Sequence, residues 1–350
     1  MKIAIPKEIK TLEGRVALIP AACASLVQAG HTVYIEQSAG ILSGYSDEMY
    51  TKNGVSILPD ADSIYETGEL IVKVKEPIGP ELDLLQSHHL LFSYLHLAAE
   101  VALLKKLLDI GLTAVAFETV EENQLLPLLA PMSDIAGRLS IQVGTHLLHR
   151  PQGGKGLLLG GLPGADRGHV VILGGGVAGK NAALLATAAG ARVTVFDRNR
   201  IKQENLRALG ASVSALYPFP ELLEDAVSDA DLIVGAVLIT GERAPHLVSR
   251  EMVKNMQPGG VIIDISVDQG GCIETTRPTT YENPTFDEEG ITHFGVTNMP
   301  GAVPRSASQA LSASLLPYVL ALADKNWRNN EALVKGINVE RGEIIHPALK

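Results

Sequence analysis

His169-Val170-Val171-Ile172-Leu173-Gly174-Gly175-Gly176-Val177-Ala178-Gly179 opens a segment that continues as an Ala-rich helical stretch and a second strand-like run, Arg192-Val193-Thr194-Val195-Phe196, closing at Asp197. An apolar run of strand length thus leads into Gly-x-Gly-x-x-Gly, and the second run ends in an acid eighteen residues after the last glycine. Gly174 permits the tight turn, Gly176 has no Cβ to block a pyrophosphate, and Gly179 lets the helix lie close to the strand. The helix start at Val177 and Ala178 offers free N–H groups and positive dipole to phosphates. Asp197 can accept hydrogen bonds from an adenosine ribose, and its charge would repel a 2′-phosphate, so the pattern points to NAD rather than NADP. Arg198 and Lys202 follow as basic residues of the kind that accommodate a 2′-phosphate in some NADP enzymes, but Asp197 holds the deciding place.

Working outward, strand-like runs precede the fingerprint at Ile3–Ile5, Thr32–Glu36, Leu70–Val74, Leu90–Ser93 and Thr113–Ala116, separated by helical patterns such as Pro20–Ala29 and Ala98–Asp109. Gly30 and Gly111 stand where helix C-termini are expected. After the fingerprint, strand-like runs continue at Leu232–Val237, Val261–Val267 and His293–Val296. Such alternation predicts α/β architecture: two doubly wound, Rossmann-like domains with covered parallel sheets and an interdomain cleft. A helix capped by Ser133 or Asp134, with Ile135, Leu139, Val143 and Leu147 on one face, would carry the chain between domains. A second amphipathic pattern, with Leu311, Leu315, Val319 and Ala323 on one face, would carry it back; Pro304 suits its first turn and Pro317 its kink. The expected division is residues 1–130 plus 300–350 as a discontinuous substrate and catalytic domain, and 131–299 as the NAD-binding domain.

Composition narrows the partners. A net charge of −10, with no basic stripe, opposes nucleic-acid binding. Cys23 and Cys272 lie far apart, which suits a reducing cytoplasm better than a disulfide scaffold. The N-terminus begins a strand at once, without the apolar region of a signal peptide, and no uncharged apolar run has membrane-spanning length. His88-His89 and the His146/His149 pair lack a third ligand at metal-binding spacing, so no metal is expected.

Several further segments carry a resemblance: Pro6-Lys7-Glu8-Ile9-Lys10 with Arg15-Val16-Ala17, Lys73-Val74-Lys75-Glu76-Pro77, Tyr94-Leu95-His96-Leu97-Ala98 and Pro131-Met132-Ser133. Others are Gln152-Gly153-Gly154, Asp268-Gln269-Gly270-Gly271-Cys272, Arg277-Pro278-Thr279-Thr280 and Asn298-Met299-Pro300-Gly301-Ala302-Val303-Pro304. Together they resemble, nearly end to end, the alanine dehydrogenase and pyridine nucleotide transhydrogenase family. The resemblance implies an NAD-dependent oxidoreductase that interconverts L-alanine with pyruvate and ammonium. It places Arg15 and Lys75 on the substrate, and His96 and Asp268 in catalysis. It adds Ser133, Lys202, Val237, Leu238, Val267, Asp268, Asn298, Met299 and Gly301 to the fingerprint residues around NAD, and it suggests a homohexamer.

Residue chemistry gives each assignment a reason beside a plainer alternative. The planar fork of Arg15 can hold a carboxylate by two hydrogen bonds, or the residue is a surface arginine. Lys75 ends a strand-like run where α/β ligands bind and could polarise a carbonyl or imine; otherwise it is solvated, as Lys73 would be. His96, among apolar neighbours, can act as acid or base, or be a hydrogen-bonded core residue. Asp268 ends a strand-like run before two glycines, where it is a catalytic acid or a loop cap. Departures from the family pattern occur at Ser306-Ala307-Ser308, at Phe219 where a small polar contact is usual, and at Phe117 before Glu118. Alternatives are amination of another small 2-oxo acid, such as glyoxylate, and a catalytically silent NAD-binding regulator.

Overall fold

The computed structural model describes residues 1–237 and 244–350, with the backbone but not the side chains of Asp268 and Gln269. The chain forms two units, Met1–Met132 with Gly301–Lys350, and Ser133–Pro300. Leu238 lies outside the described residues.

The first unit contains β1 (Lys2–Ile5), β2 (Thr32–Glu36), β3 (Ser56–Leu58), β4 (Leu70–Val72), β5 (Leu90–Ser93) and β6 (Thr113–Ala116). The second contains β7 (His169–Leu173), β8 (Arg192–Phe196), β9 (Val213–Leu216), β10 (Leu232–Gly235), β11 (Val261–Asp264), β12 (Thr285–Glu288) and β13 (Ile291–Phe294). The chain then adds β14 (Ile337–Glu340) and β15 (Glu343–Ile344) to the first sheet.

Both sheets have the same core order. In the second it is β9-β8-β7-β10-β11-β13 with β12 antiparallel at the end; in the first it is β3-β2-β1-β4-β5-β6, continued by antiparallel β14 and β15. Strand order reverses beside β7 and beside β1, so each sheet has a crevice at its carboxyl ends where ligands of such folds bind. Central strands β5, β7, β10 and β11 are buried throughout, and accordingly read as unbroken apolar runs apart from Ser93, His169 and Asp264.

Several local readings needed correction. Strands β3, β9, β12, β14 and β15 gave no clear signal, β3 being three exposed or half-exposed residues on a sheet edge, and the runs from Leu70 and Leu232 end at Val72 and Gly235. The run Val261–Val267 remains a strand only to Asp264, then turns into a 3-10 helix, Ile265–Gln269. Asp264 causes this by accepting from the N–H groups of Ser266 and Cys272, both at 2.9 Å, while Gly270 and Gly271 adopt positive φ. The linking helix starts at Ala130 rather than being capped at Ser133 or Asp134, with Pro131 in its first turn. The returning helix, Pro304–Leu322, begins with Pro304 and buries Leu311, Leu315 and Val319. No described helix is long and apolar enough to cross a membrane.

Candidate active site

The carboxyl ends of β1, β4, β5 and β6 are neighbours in the first sheet, and the segments leaving them carry Glu8, Glu13 and Arg15, then Lys73 and Lys75, then Tyr94 and His96, then Glu118. Arg15 is not a surface arginine: it is 2% exposed. Its Nε donates to Glu13 Oε1 at 2.6 Å and its Nη2 to Oε2 at 2.5 Å, so one edge of its fork holds an internal carboxylate, while Nη1 lies 3.1 Å from Met132 Sδ. Burial weakens the guanidinium's hold on its proton, but the hydrogen bonds and charge of Glu13 outweigh this and leave it above its ordinary value. The loop is pinned on both sides of Arg15. Ser43 Oγ donates to Gly14 O at 2.7 Å, and Ser308 Oγ, 2.8 Å from Ser43 Oγ, accepts from Val16 N at 2.9 Å. The serine that ends the altered 306–308 run is therefore a structural latch.

Lys73 and Lys75 differ more than their spacing suggests. Lys73, expected in solvent, is 1% exposed, its Nζ 2.8 Å from Glu81 Oε1 and 3.5 Å from Glu8 Oε2. Lys75 is half-buried, and burial with the neighbouring Arg15 charge pulls its ammonium below the ordinary lysine range. Glu8 accepts from Val74 N at 2.6 Å and from Lys75 N at 3.4 Å. Burial pushes the Glu8 carboxyl up to about 7; Lys73 and the Val74 N–H oppose the rise, and Glu13 and Glu81 add to it.

His96 does not lie in an apolar nest. Leu95 and Leu97 on either side are buried, whereas the His96 side chain is 46% exposed on a backbone with φ 51°, a left-handed conformation uncommon outside glycine. Glu118 holds that conformation by accepting from Leu95 N at 3.1 Å and His96 N at 2.6 Å, and its Oε1 stands 4.0 Å from His96 Nδ1. The imidazole stacks on Tyr94, centroids 5.9 Å apart. Asp268 belongs to the second unit, on the 3-10 turn after β11, and its side chain is outside the described residues.

In the second unit the fingerprint glycines separate by function. A Cβ on Gly174 would meet Ala236 O at 2.6 Å, and one on Gly179 would meet Gly174 O at 1.8 Å, so both sites are closed by backbone. A Cβ on Gly176 would meet nothing within 4 Å, although its φ of −69° suits any residue. The open space lies at the N-terminus of the helix Val177–Ala188, where N–H groups lack intrahelical partners, so this loop fits a pyrophosphate. Asp197 accepts from Gly175 N and Asn199 N, both at 2.7 Å, with Lys202 Nζ at 3.9 Å. Val237 and Ser133 are half-buried, Val267 and Met299 are buried, and Asn298 has φ 60°.

Family models for the N-terminal and C-terminal domains of alanine dehydrogenase/PNT match residues 4–136 and 140–347. The chain belongs to the alanine dehydrogenase/PNT family. Among its relatives, alanine dehydrogenase of Methanococcus maripaludis is 48% identical over 100% of this chain and 95% of its own, and that of Bacillus subtilis 45% over 100% and 94%. A solved L-alanine dehydrogenase superposes with a TM-score of 0.96 at 50% identity, covering 100% of this chain and 98% of its own. A transhydrogenase structure from Sinorhizobium meliloti, 24% identical, shares the fold at a TM-score of 0.87 over 99% of this chain and 100% of its own.

Within this family fold, the Arg15 charge acts on the Lys75 ammonium, and Tyr94 stacks on His96. Sequence reasoning gave no role to Glu8, Glu13 and Glu118; Glu8 and Glu118 find their partners on neighbouring strand ends, and Glu13 finds Arg15 two residues on. It also passed over Gly137, where a Cβ would strike Ala178 O at 2.1 Å, so the linking helix packs against the first turn of the nucleotide helix. Asp134 Oδ1 there accepts from Asn181 Nδ2 at 2.6 Å. A glycine inside an amphipathic helix pattern was the available signal.

Proposed function

We propose that the chain catalyses the reversible, NAD-dependent oxidative deamination of L-alanine to pyruvate and ammonium. The observation that carries this reading is the full-length likeness, at 45–50% identity, to proteins named alanine dehydrogenase. The buried Arg15 and half-buried Lys75 at the carboxyl edge of the first sheet support it, since a small 2-oxo or 2-amino acid needs a held carboxylate.

The Gly174–Gly179 loop would hold NAD, which would supply the hydride acceptor for Cα of alanine. Asp197 would hold the adenosine ribose; Ser133, Lys202, Val237, Leu238, Val267 and the Asn298–Gly301 loop complete that binding site. Arg15 anchors the substrate carboxylate, and Lys75 holds the same end and the oxo-derived atom. Loss of hydride from alanine with its amine neutral leaves an iminium, and His96 takes a proton from the water that attacks the iminium carbon. Asp268 positions water or ammonia and assists the proton transfers that release ammonium. The same family resemblance extends the reading to a cytoplasmic homohexamer.

The test is NADH oxidation by the purified protein with pyruvate, with and without ammonium, repeated with glyoxylate and with NADPH. Oxidation requiring both pyruvate and ammonium is expected. Preference for glyoxylate would move the substrate, preference for NADPH would overturn the part given to Asp197, and silence with every oxo acid despite NADH binding would leave a regulator.

A further inference from the structure

Resting on that reading, we propose that Glu8 is a positioning residue for Lys75, fixing the backbone from which the ammonium reaches the substrate. Strand β1 pairs with β4 only through Ile3–Leu70 and Ala4–Ile71. On the other side, β5 pairs with β4 as far as Val72–Phe92; Lys73 N still donates to Phe92 O, and Tyr94 N to Val74 O. The N–H of Val74, next after Lys73, therefore emerges on the side that β1, ending at Ile5, has left.

Glu8 returns to that gap as a side chain. It accepts from Val74 N at 2.6 Å and, at the longer distance of 3.4 Å, from Lys75 N, replacing the missing strand partner. Its side chain is 3% exposed, so water does not compete for these bonds. On its other side stands Lys73, itself fixed by Glu81, whose Oε1 also accepts from Tyr65 OH at 3.0 Å. The carboxylate is thus braced from behind and cannot drift from the strand end. Lys75 Nζ makes no hydrogen bond among the described residues, so the main chain carries the whole burden of placing it.

The experiment compares the parent with Glu8→Ala and Glu8→Gln for ammonium-dependent reduction of pyruvate, with NADH binding followed by fluorescence. Glu8→Ala is expected to raise KM for pyruvate by about tenfold, the scale of one lost charge-assisted hydrogen bond, with NADH affinity within twofold of the parent. Glu8→Gln keeps an acceptor for Val74 N and should recover most of the loss. An unchanged KM in Glu8→Ala, or equal damage in both variants, overturns the proposal. Should Glu8→Ala fail to fold, Glu8→Asp decides: withdrawing the carboxylate by one methylene must raise KM, and a parental KM refutes the role. A parent without ammonium-dependent pyruvate reduction instead overturns the activity reading, and this inference with it.

Discussion

After Leu173 in the second sheet the chain needs only Gly174, Gly175 and Gly176 before its helix starts, whereas after Ile5 in the first sheet it runs through Pro6–Ile19, with Glu8, Glu13 and Arg15, before the helix at Pro20. Strand order is the same on both sides. In the second sheet, bare backbone N–H groups at the helix start face open space beside Gly176. In the first, Glu8 and Glu118 occupy the N–H groups at the ends of β4 and β5, and the cations of Arg15 and Lys75 supply the positive charge. On the proposed function, one topology prepares two kinds of anion site, one made by main chain in the second sheet and one by side chains in the first. Side-chain truncation should ruin the site in the first sheet, and an added Cβ should ruin that in the second.

The largest effect is expected at Arg15. Arg15→Ala removes the cation proposed to hold the substrate carboxylate, and kcat/KM for pyruvate should fall by about 10³-fold. It also strands the buried Glu13 carboxylate, at about 3–5 kcal/mol of stability. Adding Glu13→Gln should restore much of the melting temperature but none of the activity. Recovery of both would mean that Arg15 serves only the fold.

His96→Ala should reduce turnover by about 10²-fold with NADH affinity unchanged, because His96 lies in the first unit and the Gly174–Gly179 loop in the second. Turnover within twofold of the parent would remove the imidazole from the chemistry. Smaller again is the glycine pair. Gly176→Val should fold with near-parental stability yet weaken NADH by at least about tenfold, since its Cβ meets no protein atom but enters the proposed phosphate space. Gly179→Ala should instead cost about 1–3 kcal/mol of stability, because its Cβ overlaps Gly174 O. Equal NADH affinity in Gly176→Val and parent would show that the open space is not where the pyrophosphate lies.

The same contrast explains what could be read from sequence. The glycine loop was legible because strand, turn, helix and acid are contiguous, and each glycine answers a local steric demand. Arg15, Lys75 and His96 could be named by resemblance, but their environments could not. The fork of Arg15 holds Glu13, His96 is turned outward by Glu118, and Lys73 is buried rather than solvated. Those facts depend on partners such as Glu8 and Val74, or Glu118 and Leu95, which are adjacent only once strand order is known. The overextended reading of Val261–Val267 has a related cause. Its apolar, β-branched composition favours a strand, while the carboxylate of Asp264 closes a turn onto Cys272, eight residues later.

A last, subtler prediction concerns Glu8 and pH. Its carboxyl titrates near 4.5 when exposed and is pushed by burial to about 7 in the fold. Between those values the folded protein keeps a proton that the unfolded chain releases, so this group's contribution to stability is full below about 4.5 and declines as pH rises through about 7. Glu13 works in the opposite sense: burial raises its carboxyl, but Arg15 more than compensates and holds it low, so its contribution is lost towards acid. Glu8→Gln deletes only the first of these titrations. The melting temperature of the parent minus that of Glu8→Gln should therefore fall from pH 5 to about pH 7 and level off towards pH 8. A difference that stays level across that range would mean that Glu8 is ionised throughout, with Lys73 dominating its burial, and that the first sheet's edge is a fixed array of charges.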